Sequence, residues 1–306
     1  MKSFAAKCLV LSAVWFLGSN SLHAQNDIQR FRRSMAAEFH LSLARGPLRP
    51  VDQSLLTGPT ASEILAGPTN GLESAYVVYT RMAPGTRPRG TYELPVEQTY
   101  EVLSGGLNVQ IGTERFVAAP NTLVLIPPGI PHEVWNAGAE PETDLEVIGP
   151  ATSRSLVAMV RPARPRQIAN AAQYLHIPPS AREHVTGTPH GSVHQWPLAN
   201  RSNGSKYIME RLSETPPGSG SKFAMIHPFD QIYFISRGTM TLQYGLYTYH
   251  AHANTLVLIP RGVVHRTAND GSSPLRVVEL NIPQPASGTP FGVHVVLVRG
   301  QARPRT

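Results

Sequence analysis

Asn121-Thr122-Leu123-Val124-Leu125-Ile126-Pro127 returns unchanged as Asn254-Thr255-Leu256-Val257-Leu258-Ile259-Pro260, 133 residues further on. Held at that offset without a gap, residues 79–139 and 212–272 share 20 identities in 61 positions, among them Pro84-Gly85 with Pro217-Gly218, Gln98 with Gln231, Tyr100 with Tyr233 and His132 with His265. The echo resumes after an insertion, since Val160-Arg161-Pro162-Ala163-Arg164-Pro165-Arg166 resembles residues 298–305. The chain is therefore two copies of a unit of about 100 residues, the size of a domain rather than of a solenoid repeat. The heptapeptide is a continuous apolar run closed by proline, as a strand buried on both faces requires. Around it, residues 98–111 alternate about Gly105-Gly106 and residues 231–244 about Gly238, which predicts a hairpin in each copy. Short strands with frequent turns indicate a jelly roll or barrel.

Composition agrees. With 41% hydrophobic and 15% charged residues in 306, the chain buries a substantial core and is not disordered. Gly 25 and Pro 28 are too many for a helical bundle. A lone cysteine excludes an internal disulfide and any multi-thiolate zinc or iron–sulfur site.

The chain margins read differently. Lys2 and Lys7 precede an apolar run over residues 8–17, then Gly18, a mostly polar stretch and small Ala24, which is the order of a signal peptide cleaved near Ala24. A secreted or periplasmic product is expected, with no later stretch long enough to span a membrane. Residues 25–74 are expected to form a helical or loop segment, with apolar Ile28, Phe31, Met35, Phe39 and Leu43 near helical spacing. Residues 169–205, rich in Pro and Gly, are expected to be a connector, leaving the barrels at 75–168 and 206–306. The net charge of +7 comes from scattered arginines beside prolines rather than a basic stripe, so nucleic-acid binding is not expected.

Each copy also carries a local signature. Pro127-Pro128-Gly129-Ile130-Pro131-His132-Glu133-Val134-Trp135-Asn136 and Pro260-Arg261-Gly262-Val263-Val264-His265-Arg266-Thr267-Ala268-Asn269 resemble the second motif of the cupin superfamily, P-x-G-x-x-H-x-x-x-N. In that family a glycine lies six residues before the proline; here Asn121 and Asn254 stand there, and asparagine tolerates the left-handed backbone that glycine supplies. The resemblance implies an all-β bicupin of two tandem double-stranded β-helix barrels, with a short N-terminal helical segment outside them.

The first cupin motif, H-x-H-x(3 or 4)-E-x6-G, is degenerate. Counting back from Gly238 puts Gln231 at the glutamate position, His227 at the second histidine and Met225 at the first. From Gly105 the same positions are Gln98, Leu94 and Tyr92, so the first copy keeps only His132. Strand alternation sends Gln231 and Tyr233 to one face, and His265 and Thr267 to one face of another strand. If cupin geometry holds, His227, Gln231 and His265 meet as metal ligands for Fe, Mn, Ni or Zn, one ion per chain, with lower affinity because a neutral amide replaces the carboxylate. Gln231 and Tyr233 are the candidate catalytic groups, and Met225, Tyr233 and Thr267 the candidate substrate pocket. Gln98, Tyr100 and His132 form a second, weaker site. Asp230 points the opposite way, and His250 and His252 read as ordinary strand positions.

Three functions compete, the third being a structural or partner-binding protein of the envelope. One is an exported, mononuclear-metal enzyme of dioxygenase, lyase or isomerase type acting on a small organic substrate. Another is a non-catalytic bicupin of the cell envelope that binds a small molecule or sugar. Oxalate decarboxylase and germin-like activity are poorly supported, because those relatives rely on a fuller ligand set. Two fused barrels can pack as a cupin dimer does, and further homo-oligomerisation is open.

Overall fold

A computed structural model describes residues 46–87, 90–168 and 193–295; the signal peptide, the helix expected over 27–43 and the echo at 298–305 lie outside them. Strands β1 (Leu48–Pro50) and β2 (Thr60–Ala66) come first. The first barrel follows as β3 (Tyr76–Met82), β4 (Tyr92–Glu93), β5 (Glu97–Ser104), β6 (Leu107–Ile111), β7 (Glu114–Ala118), β8 (Leu123–Ile126), β9 (His132–Trp135), β10 (Glu142–Gly149) and β11 (Arg161–Pro162). The second contains β12 (His194–Ala199), β13 (Met209–Thr215), β14 (Ser219–Gly220), β15 (Ala224–Ile226), β16 (Asp230–Arg237) and β17 (Thr239–Tyr244). It is completed by β18 (Tyr247–His252), β19 (Thr255–Ile259), β20 (His265–Asn269), β21 (Leu275–Ile282) and β22 (Val293–Val295). The bounds of β3 and β13, of β5 and β16, and of β10 and β21 differ by the same 133 residues as the sequence repeat.

Each barrel closes two antiparallel sheets over its own core. In the first they run β2-β3-β10-β5-β8 and β11-β4-β9-β6-β7; in the second β1-β19-β16-β21-β13-β12 and β18-β17-β20-β15-β22. The expected hairpins about Gly105 and Gly238 are not formed. β5 pairs with β10 and β8, whereas β6 pairs with β7 and β9, so the chain crosses from one sheet to the other at Gly105. At that corner φ is +71° and a Cβ would lie 2.5 Å from the Pro141 carbonyl oxygen, which only glycine avoids. Alternating patterns on either side of a turn look alike whether the turn joins two strands of one sheet or carries the chain between sheets. Asn121 and Asn254 do adopt the left-handed conformation, with φ of 64° and 60°.

Two other expectations are corrected. The described part of the N-terminal segment, 46–74, holds β1, a single 3-10 turn at Gln53–Leu55 and β2, not a helix. The connector likewise ends in a strand, β12, which takes the place in the second barrel that β2 takes in the first. Each large sheet needs an outer strand to cover its edge. β1 crosses to the second barrel, where Leu48 faces Val257 of β19.

The barrels face each other through an apolar layer that includes Val77, Leu145 and Val147 from the first and Leu212, Phe234 and Val278 from the second. Within this layer Glu97 accepts hydrogen bonds from Ser205 Oγ (2.5 Å), the Lys206 amide (2.7 Å) and the Ile208 amide (2.9 Å). Asp230, its repeat counterpart, accepts from Ser74 Oγ (2.6 Å) and the Arg261 amide (3.0 Å). Among the described residues no helix is long and apolar enough to cross a membrane.

Candidate functional site

Because side chains alternate across a strand, the inward faces of β16, β21 and β13 present Gln231, Tyr233, Glu279, Arg211 and Ser213 to the interior of the second barrel. The register sets Arg211 beside Glu279 and Glu279 beside Tyr233 in one row. The opposing sheet contributes Met225 from β15 and His265 and Thr267 from β20, and the bend after β15 contributes His227. These side chains line a cavity of about 50 Å3 whose wall also includes Phe291. At roughly 10–15 Å3 per water position, that is room for a few waters or a ligand of a few heavy atoms. Asn269 lies outside it, holding the Thr215 and Ser273 carbonyls at 2.8 and 2.9 Å.

Both histidines are fixed at Nδ1 by a backbone carbonyl: His265 donates to Val263 at 3.0 Å and His227 to Phe291 at 2.7 Å. A carbonyl only accepts, so each Nδ1 carries the hydrogen and Nε2 is the ligating nitrogen. The two rings lie 5.1 Å apart. Gly292 makes this possible, because a Cβ there would stand 2.5 Å from His227 Nδ1.

Gln231 is fixed from behind. Its amide nitrogen donates to Glu279 Oε1 at 2.9 Å, and Arg211 pairs with the same carboxylate, which also accepts from Ser213 Oγ at 3.3 Å. Burial pushes the Glu279 carboxyl up, but the Arg211 charge, its hydrogen bond and those of neighbours outweigh this and hold it below the ordinary range. An ionised carboxylate cannot donate, so Gln231 must turn its oxygen the other way. Oε1 then stands 2.7 Å from His265 Nε2. With Nδ1 already the N–H, both are lone-pair atoms, and their contact is stable only with a cation at that point, either a proton on the imidazole or a metal ion. Tyr233 is driven well above its ordinary value by burial and by the Glu279 charge, so it stays a phenol and a hydrogen-bond donor.

The second, weaker site predicted in the first barrel is filled. Tyr92, at the position of Met225, puts its hydroxyl 2.6 Å from that of Tyr100, and Gln98 donates to Tyr100 at 2.6 Å and to Glu146. The Tyr92 ring lies 4.2 Å from that of His132, whose Nδ1 is 2.8 Å from the Ile130 carbonyl. At the repeat positions of Tyr92 and Leu94 the second copy has Met225 and His227, both in the cavity wall. His250 and His252 are exposed beside Thr241 and Thr239 on β18.

Glu279 and Arg211 escaped the sequence reading. The signal for Glu279 is an acidic residue within an apolar strand of both copies, Glu146 and Glu279, just beyond the gapless window. Nothing comparable marks Arg211, whose counterpart is Val78.

Two closed antiparallel barrels with a His-lined cavity in the second define a tandem jelly-roll protein. Residues 78–147 and 211–281 each match the cupin domain family. Both halves are cupin domains, and the chain is a bicupin. Solved structures agree on the fold. AerE from Microcystis aeruginosa is 14% identical, covering 77% of this chain and 97% of its own, with a TM-score of 0.57. A putative glyoxylate induced protein from Pseudomonas aeruginosa is 14% identical over 76% and 84%, at 0.58. Oxalate decarboxylase from Bacillus subtilis, studied for its Mn(II) centres, is 16% identical over 74% of each chain, at 0.57. No curated protein matches the sequence.

Proposed function

We propose that the second barrel is a weak mononuclear metal centre, held by His227, Gln231 and His265, at which a small organic molecule is bound and turned over. The observation that carries this is the 2.7 Å approach of His265 Nε2 and Gln231 Oε1. Among the described residues no three His, Cys, Asp or Glu side chains cluster for a metal, so on this reading the Gln231 amide serves as the third donor. Two imidazoles and a neutral oxygen suit a borderline divalent ion; the nearest anion, Glu279, is already neutralised by Arg211, which accounts for a weak site. The Mn(II) centres of the Bacillus subtilis oxalate decarboxylase are consistent with metal use on this fold.

A metal ion in such a site polarises a substrate oxygen. The protein's own groups do the rest. Glu279 orients Gln231, the two carbonyls orient the imidazoles, and Tyr233 and Phe291 stand in the cavity wall as a polar and an apolar contact. The charged, apolar and small-residue order of residues 1–24 supports an exported protein.

A second reading follows from the same contact: a proton in place of the metal leaves an imidazolium and a ligand-binding barrel without metal chemistry. Metal analysis of the purified protein after incubation with Fe(II), Mn(II), Ni(II) or Zn(II) separates the two. About one ion per chain is expected, lost in His265→Ala and in Met225→Tyr, which copies the tyrosine that plugs the first barrel. Absence of stoichiometric metal from the wild type, with every ion tried, sinks the metal reading.

A further inference from the structure

Arg211 does more than neutralise Glu279. Its guanidinium Nη2 reaches the Glu279 carboxylate, but Nε is buried and finds no acceptor among the described residues. A buried N–H donor without a partner costs about 1–3 kcal/mol, so a site that keeps one is suited to an acceptor from outside. Arg211 lines the cavity, with the Phe291 ring packed over its guanidinium at 5.2 Å. Among the described residues the other charged side chain on the wall, apart from the histidines, is Glu279, which cancels Arg211. Any cation held by His227, Gln231 and His265 therefore leaves the cavity net positive. Hydroxyls of Tyr233 and Thr267 add polar groups and no charge. The barrel does not need this arginine for closure: the first copy has Val78 there, opposite Glu146.

We propose that the ligand of the second barrel is a small organic acid of a few carbons whose carboxylate accepts from Arg211 Nε. The inference rests on the metal reading for the sign of the cavity's charge, and it adds the substrate class. A neutral sugar would gain nothing from the positive interior, and a volume of about 50 Å3 suits a small acid. Arginine offers a carboxylate a directed N–H that lysine cannot copy.

The test is calorimetric titration of the purified protein with glycolate and pyruvate, and with neutral glycolamide. Metal content and thermal midpoint are measured on the same samples. Wild type is expected to bind the acids about tenfold or more tighter than glycolamide. Arg211→Lys keeps a positive charge beside Glu279, so it is expected to retain fold and metal while losing about tenfold in acid affinity. Equal binding of glycolate and glycolamide, or unchanged acid affinity in Arg211→Lys, overturns the proposal. Bound metal without acid preference defeats this inference alone. Acid preference that depends on Arg211 in a metal-free protein defeats the metal reading and leaves the carboxylate site standing.

Discussion

Glu142→Gln is expected to stabilise the protein by on the order of a few kcal/mol at pH 8 and to change it little near pH 4.5. Glu142 is fully buried on the inward face of β10, in the row with Asp144 and Glu146, and burial lifts its pKa from 4.5 to about 8, against a smaller lowering influence of Asp144. A group whose folded pKa is raised is stabilising in its protonated form. Its contribution is whole below the unfolded value of 4.5 and is lost as pH climbs through about 8. Each pKa unit corresponds to about 1.4 kcal/mol, which sets the size of the effect. Glutamine cannot ionise and removes that part of the slope. Some slope should persist, since burial and the Glu101 charge also raise Glu210 between the barrels. Urea midpoints for both proteins from pH 4.5 to 8.5 are the measurement. Parallel curves would show that Glu142 does not govern the alkaline loss.

The second large effect is at the seam. Glu97→Ala should cost about 3 kcal/mol, because it strands the amides of Lys206 and Ile208, which now donate to one carboxylate, whereas the Ser205 hydroxyl keeps the Ile208 carbonyl as an acceptor. Glu97→Gln keeps one acceptor oxygen but turns an amide group towards the Lys206 N–H, so an intermediate loss is expected. Denaturant titration gives the magnitude, and hydrogen exchange at residues 205–208 locates it. A loss below about 1 kcal/mol would mean that the apolar layer alone joins the barrels.

How much of this was legible beforehand depends on the type of signal. A repeat is a statement about registration, so it gave the two barrels and the strand correspondence, and the left-handed asparagines followed from motif spacing. The same logic brought His227, Gln231 and His265 to one cavity, since alternation and motif position fix facing. It failed where pairing partners matter. A turn at Gly105 does not say which sheet receives the next strand, and β12 was hidden in a Pro- and Gly-rich stretch that read as linker. Arg211 was invisible because its role comes from a cross-strand neighbour, Glu279, nearly 70 positions away. The site differs from its twin through Tyr92 and Met225, a difference of filled volume that no spacing rule encodes.

β1 has a consequence for the order of events during synthesis. A strand made among the earliest is hydrogen-bonded to β19, made about 200 residues later. The leading barrel can mature as soon as its own strands have emerged, while the trailing one waits for a clasp that has been dangling since the start. Such long-range closure slows assembly. In the interval the vacant edge is open to the clasp of a neighbouring molecule, so crowded refolding should yield exchanged dimers that dilute refolding avoids.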